Sequence, residues 1–159
     1  MRAAWNRPAP SGCGARRALI LYAESSAVLA WLLGEASRGR VRDAIAEAEL
    51  VIASDLTLLE CERSLIRGVA TGVLTEPAAR ERHAALSRMG ARWRLMPISR
   101  EVIDRARRPF PTEPLRSLDA IHLASAMLAA DGEPQLAVLS LDRRIRASAV
   151  ALGLLTLPD

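Results

Sequence analysis

Four carboxylates occupy equivalent places along the chain: Glu24, Glu60, Asp119 and Asp142. Glu24 ends the apolar run Leu19–Ala23, Glu60 lies in S-D-L-T-L-L-E-C, Asp119 in L-R-S-L-D-A-I-H-L-A-S-A and Asp142 in A-V-L-S-L-D-R-R-I-R. Each stands just past a strand-like run or just inside a segment of helical period. In an open α/β sheet the carboxyl ends of the strands border a crevice where the crossovers diverge, so one crevice can collect all four acids. No lysine exists in the chain to neutralise them. Carboxylates gathered in this way repel one another and raise their pKa values, a cost that a divalent cation removes. Each acid also fits a local role. Thr57 and Glu60 spell a capping box, Asp119 follows a possible Ser117 N-cap, Asp142 can itself be an N-cap, and Glu24 can precede a helix capped by Ser25 or Ser26.

The elements that must hold these acids alternate strictly. Buried strands are expected at residues 19–23 and 50–53, the first apolar without a two-residue alternation, and further strands at 93–98, 135–141 and 154–157. Helices are expected at 25–33, 41–48, 57–70, 76–89, 100–108, 117–130 and 143–152, with Leu58, Leu59, Leu65, Ile66 and Val69 as core positions of the third. Gly34, Gly72, Pro77 and Pro109 punctuate the connections. Alternation of this kind implies a parallel sheet with helices on both faces.

A chain of 159 residues that is 50% hydrophobic makes one domain with its own core. Residues 1–17 hold Arg2, Arg7, Arg16 and Arg17, several Pro and Gly and no acid, and are expected to be a disordered tail ahead of a domain spanning 18–159. The net charge of +4 belongs to that tail, since the remainder has 18 basic and 18 acidic residues. The folded part is therefore expected to bind generic RNA only weakly. Arg16-Arg17 before an apolar run imitates an export signal, but Glu24 interrupts the run and the run supplies a strand. No segment reaches the length of a membrane span, and the two cysteines, Cys13 and Cys61, fit a reduced, cytoplasmic chain. Cys13, Cys61, His83 and His122 lack paired zinc spacing. The G-x-S-x-G elbow, the Rossmann glycines and the phosphate-cradling glycine loop are all absent. A phosphoacceptor domain would want a lysine that the chain does not have.

Y-A-E-S-S-A-V-L-A-W-L-L-G-E, S-D-L-T-L-L-E, L-R-S-L-D-A-I-H-L-A-S-A and L-S-L-D-R-R-I-R-A-S-A-V-A-L-G-L follow one another in an order and spacing that resemble the blocks of PIN-domain ribonucleases. The likeness is strongest to VapC-type toxins of toxin–antitoxin pairs and covers residues 18–157. It implies a three-layer α/β/α sandwich with a central parallel sheet. It also implies an acidic pocket that binds Mg²⁺ or Mn²⁺ and hydrolyses RNA, with Glu24, Glu60, Asp119 and Asp142 as catalytic, metal-binding acids. Ser26 and Ser140 are expected to orient a carboxylate or water, Arg63 and Arg116 to contact substrate or balance charge, and His122 to pack beside the acids. A homodimer and a cognate antitoxin are the implied protein partners. The first acid of the family is usually Asp, and Glu24 moves that carboxylate by about one methylene, which matters to a cation as strict about distance as Mg²⁺. The alternative is a weak or inactive PIN-like module that binds RNA or a protein.

Overall fold

In the computed structural model, which describes residues 18–158, the apolar runs become five parallel strands: β1 (Ile20–Ala23), β2 (Leu50–Ser54), β3 (Arg94–Met96), β4 (Leu136–Leu139) and β5 (Leu155–Leu157). Their order is β3-β2-β1-β4-β5. Register is set by Tyr22, which lies opposite Ile52 of β2 and Val138 of β4. Seven helices connect them: α1 (Ser25–Leu33), α2 (Arg38–Glu47), α3 (Asp55–Ala70), α4 (Glu76–Gly90), α5 (Arg100–Ala106), α6 (Ser117–Gly132) and α7 (Arg143–Ala151). The expected tail, residues 1–17, lies outside the described residues.

The strand order explains the layers. The chain steps outward from β1 to β2 and β3 on one side, then returns through α5 and α6 to place β4 and β5 on the other. Right-handed crossovers running in opposite directions must cover opposite faces of the sheet. The cores agree. Ala23, Val51 and Ala53 pack with Val28, Leu32, Cys61 and Leu86, and Leu21, Ala137 and Leu139 pack with Ala27 and Val41, all on the α1–α4 face. Tyr22, Ile52, Leu136 and Val138 pack with Val102, Phe110, Leu123, Ala124, Ile145 and Ala149 on the α5–α7 face. Alternate strand residues thus feed different cores, so both sets must be apolar and the period-two signal vanishes. The direction of travel switches between β1 and β4, and a crevice opens at their carboxyl ends.

Two helical expectations need correction. Leu59 and Ile66 of α3 are exposed, at 52% and 54%. The core stripe runs instead through Leu56, Thr57, Cys61 and Leu65. Helix α3 begins at Asp55 rather than Thr57, because Ser54 is its N-cap and accepts from the Thr57 N–H. Glu60 is half-buried at the edge of this stripe. Helix α6 begins at Ser117, with Arg116 as an N-cap residue that makes no side-chain cap bond, so Ser117 does not cap it.

Among the described residues no helix is long and apolar enough to cross a membrane. Leu123→Ala, at a fully buried position, is expected to cost about 3 kcal/mol and lower Tm by roughly 10 °C, against a change under about 0.5 kcal/mol for Ile66→Ala. Thermal melting of the two variants checks the assignment of faces.

Candidate active site at the carboxyl edge of the sheet

Glu24 follows the last residue of β1, and its backbone N–H extends the ladder by donating to Leu139 O at 3.0 Å. Its side chain turns back as the N-cap of α1. Oε1 accepts from the Ser26 N–H at 3.1 Å and the Ser25 hydroxyl at 2.8 Å. Oε2 accepts from the Ser140 hydroxyl at 2.7 Å and from the Ser26 hydroxyl. Four donors therefore surround a carboxylate that is 3% exposed. Ser25 and Ser26 do not cap α1 themselves; they hold the residue that does. The Ser26 hydroxyl also accepts from the backbone N–H groups of Leu141 and Asp142, at 2.9 and 3.1 Å. It thereby joins the β1–α1 turn to the β4–α7 turn across the switch point.

Glu60 enters from the first half of α3. The expected capping box with Thr57 does not form: the Thr57 hydroxyl donates to Ala23 O at 3.0 Å, which frees Glu60 to face inward. Its Oε2 lies 2.7 Å from the Ser25 Oγ and 2.7 Å from the His122 Nε2. Burial works to raise the Glu60 carboxyl. The hydrogen bonds from His122 and Ser25 and the imidazole charge together outweigh it, holding this group below its ordinary value. His122 is 2% exposed, and its Nδ1 lies 3.0 Å from the Tyr22 phenol. Burial raises Tyr22, so the phenol keeps its proton. The Nε2–H of His122 donates to Glu60, and its Nδ1 shares a hydrogen bond with the phenol.

Asp119, on the first turn of α6, is 9% exposed, and its Oδ2 is buried with no hydrogen-bond partner. Burial raises this carboxyl, the charge of Asp142 raises it further, and the Arg116 backbone with the Arg116 and Arg144 guanidinia opposes both. Asp142 is the N-cap of α7, its Oδ1 accepting from the Arg144 and Ile145 N–H groups at 2.7 and 3.2 Å. The four acids thus fall into two linked pairs. Glu24 and Glu60 share Ser25, and His122 Nε2 lies 3.8 Å from Glu24 Oε1. Asp119 and Asp142 feel each other's charge. Of the other expected residues, Ser140 and Ser26 join the site, Arg116 borders it, and Arg63 is exposed on α3. Ser25 and Tyr22 were not singled out as site residues. Neither carries a spacing signal, whereas His122 lies one turn from Asp119.

Glu24, Glu60 and His122 each offer one ligand atom, and these atoms lie within 4.8 Å of one another. Ser25 has one hydroxyl proton yet lies within hydrogen-bond distance of both carboxylates, so one close oxygen pair has no proton between it. The Asp119 Oδ2 is a buried, unpartnered acceptor. A pocket short of positive charge, lined mainly by hard oxygens, fits Mg²⁺ or Mn²⁺.

The PIN domain family model matches residues 21–151. The chain belongs to the PIN domain family. Among solved structures, VapC20 of Mycobacterium tuberculosis, described as a sarcin-ricin loop cleaving toxin, superposes with a TM-score of 0.57 at 18% identity, over 80% of this chain and 93% of that one. VapBC2 of Rickettsia felis, bound to promoter DNA, gives 0.59 at 10% identity over 87% and 98%. FitAB bound to a DNA fragment gives 0.60 at 16% identity over 87% and 94%. Among curated proteins, none matches the chain. The family resemblance and the α/β/α sandwich expected from the sequence are both borne out.

The two shifted carboxyls predict opposite pH behaviour. A raised Asp119 favours the folded state below the ordinary Asp value and loses that contribution as pH rises through its folded value. Metal-free Asp119→Asn should therefore melt above the wild type at neutral pH, the gap closing in acid. A lowered Glu60 contributes above the ordinary Glu value and loses it as pH falls. Glu60→Gln should melt below the wild type at neutral pH and converge with it in acid. Melting curves from pH 3 to 8 in EDTA read both.

Proposed function

We propose that this chain is a divalent-metal-dependent endoribonuclease and the toxin of a toxin–antitoxin pair. The observation that supports the reading most is the pairing of acids from distant segments at the carboxyl edge of the sheet, where Ser25 bridges Glu24 and Glu60 and Asp119, which feels the charge of Asp142, has an Oδ2 with no partner. Glu24, Glu60 and Asp119 would hold the ion, with Asp142 and His122 beside them. When bound, Mg²⁺ or Mn²⁺ polarises a phosphodiester and acidifies water, which removes the need for a covalent nucleophile. The chain's own residues do the positioning. Ser26 and Ser140 lock the Glu24 carboxylate, and Tyr22 holds the His122 ring so that its Nε2–H faces Glu60. The crevice excludes water on the α5–α7 side, where Tyr22, Leu123 and Val138 are fully buried.

RNA as the substrate is the reading taken from the family and from the activity described for VapC20. A cytoplasmic location, a homodimer and a cognate antitoxin that blocks the acidic pocket belong to the same reading, in line with the VapBC2 complex among the structural relatives. A second reading, a PIN module with weak or no turnover, rests on Glu24. All four acceptor sites of its carboxylate are already engaged by the protein, so binding an ion at Oε1 requires the Ser25 or Ser26 donor to yield.

Purified protein is expected to cleave RNA in Mn²⁺ and to rise in Tm as the metal is titrated, while Asp119→Asn does neither. An occupancy of 100 times Kd corresponds to about 2.7 kcal/mol, which is roughly 5–10 °C here. An inert wild type alongside an active Glu24→Asp would establish the second reading. Inactivity of both, with a flat melting temperature, would remove the nuclease assignment.

A further inference from the structure

Two cavities open beside the acidic crevice, and they share a wall. One, of about 540 Å³, is lined by Thr112, Glu113, Pro114, Leu115 and Arg116 of the α5–α6 connection and by Arg143, Arg144 and Ala147 of α7. The other, of about 350 Å³, is lined by Ala106, Arg107, Arg108 and Pro109 together with Glu113, Leu115, Arg116, Ser117 and Ala120. Arg116 therefore stands between them. Five guanidinia line these two adjoining cavities, together a groove that contains one acid. That acid is committed, because the Glu113 carboxylate accepts from the Phe110 N–H at 3.1 Å and the Leu115 N–H at 2.7 Å.

Several arginines outside the groove are engaged. Arg42, Arg80, Arg94 and Arg100 pair with acids, and Arg82 and Arg146 are bound to backbone carbonyls. Arg107 has only a 3.5 Å contact with Asp104, a carboxylate that Arg100 approaches at 3.0 Å. The guanidinia of Arg108, Arg116, Arg143 and Arg144 make no hydrogen bond or ion pair within the described residues, and all four side chains are exposed. The groove adjoins the acids directly, since Arg116 and Arg144 act on the charge of Asp119. Gathering unpaired cations around an open groove costs repulsion that a polyanion relieves.

We propose that this groove holds the backbone of single-stranded RNA, with Arg116 at its centre and Arg143–Arg144 and Arg107–Arg108 gripping phosphates on either side. The proposal rests on the nuclease reading for why RNA is the polyanion. It adds which residues bind the strand and what they read. The groove offers no ring for a base to stack on: Phe110 is 6% exposed and lies under Arg105 at 4.2 Å, and Tyr22 is wholly buried. Guanidinium contacts to phosphate fix register and carry no sequence information. Binding here is therefore insensitive to base sequence, and any preference for a cleavage site arises elsewhere.

The test is fluorescence anisotropy of the full chain with labelled 20-nucleotide oligouridylate and oligoadenylate in EDTA, where turnover is suppressed, over a range of salt concentrations. Arg116→Gln should weaken both oligonucleotides equally, roughly five- to tenfold at 50 mM salt, and lower the salt slope by about 0.7. Arg143→Gln/Arg144→Gln should lower the slope by about 1.4, twice as much. Arg88→Gln/Arg92→Gln removes the same charge from exposed positions near and just past the end of α4 and should leave the slope within error. Equal losses in the control and the groove variants, or groove variants that bind like the wild type, overturn the proposal. So does a loss confined to one oligonucleotide. Binding loss in the groove variants of a wild type that never cleaves RNA in Mn²⁺ upholds the groove while refuting the nuclease reading.

Discussion

The Glu24 carboxylate is the interaction on which the site's geometry depends. It sits at the end of the central strand, where the fold changes direction, and four donors fix it there. Three of those donors are serine side chains or backbone from its own turn, and the fourth is Ser140 from the neighbouring strand. Because Ser26 also accepts from the Leu141 and Asp142 N–H groups, the position of one carboxylate determines where the α7 N-terminus and its Asp142 cap stand. A buried carboxylate without such partners would be too costly to keep ionised. The hydroxyl cluster makes it tenable, and the same cluster ties β1 to β4.

The replacement of the family's usual Asp by Glu24 takes on meaning from this network. The extra methylene lets the carboxylate reach Ser140 across the strand gap while still capping α1. The residue gains a structural role and gives up acceptor capacity. Glu60 and Asp119 stand in contrast. Glu60 is held below its ordinary value by His122 and Ser25, and Asp119 is pushed above its own by burial and by Asp142. Acids whose environments drive them in opposite directions mark a place where charge has been arranged for more than solubility. A cation would relieve the burial and repulsion that raise Asp119.

Much of this was legible in the chain. The strands β1, β2 and β4 were visible because each feeds two cores and so shows no alternation, and the start of α7 was visible because Asp142 stands alone as its N-cap. The α3 face was misread because two capping candidates, Ser54 and Thr57, compete, and Thr57 spends its hydroxyl on Ala23 O, a contact 34 residues away. Ser25 and Tyr22 were missed for a related reason. Their roles depend on partners 35 and 100 residues distant, and no local pattern marks them. The charge balance concealed the arginine groove as well, since 18 basic and 18 acidic residues cancel in sum while segregating in space.

The central claim is that the crevice is built to take a hard cation between Glu24 and Glu60, with Asp119 as a further oxygen. Anomalous diffraction from crystals grown in Mn²⁺ tests it most directly. The account predicts a peak at coordination distance from Glu24 Oε1 and Glu60 Oε2, with Asp119 Oδ2 turned toward it and the Ser25 bridge broken. Diffraction that shows no peak there, with Ser25 still joining the two carboxylates at saturating Mn²⁺, would contradict it.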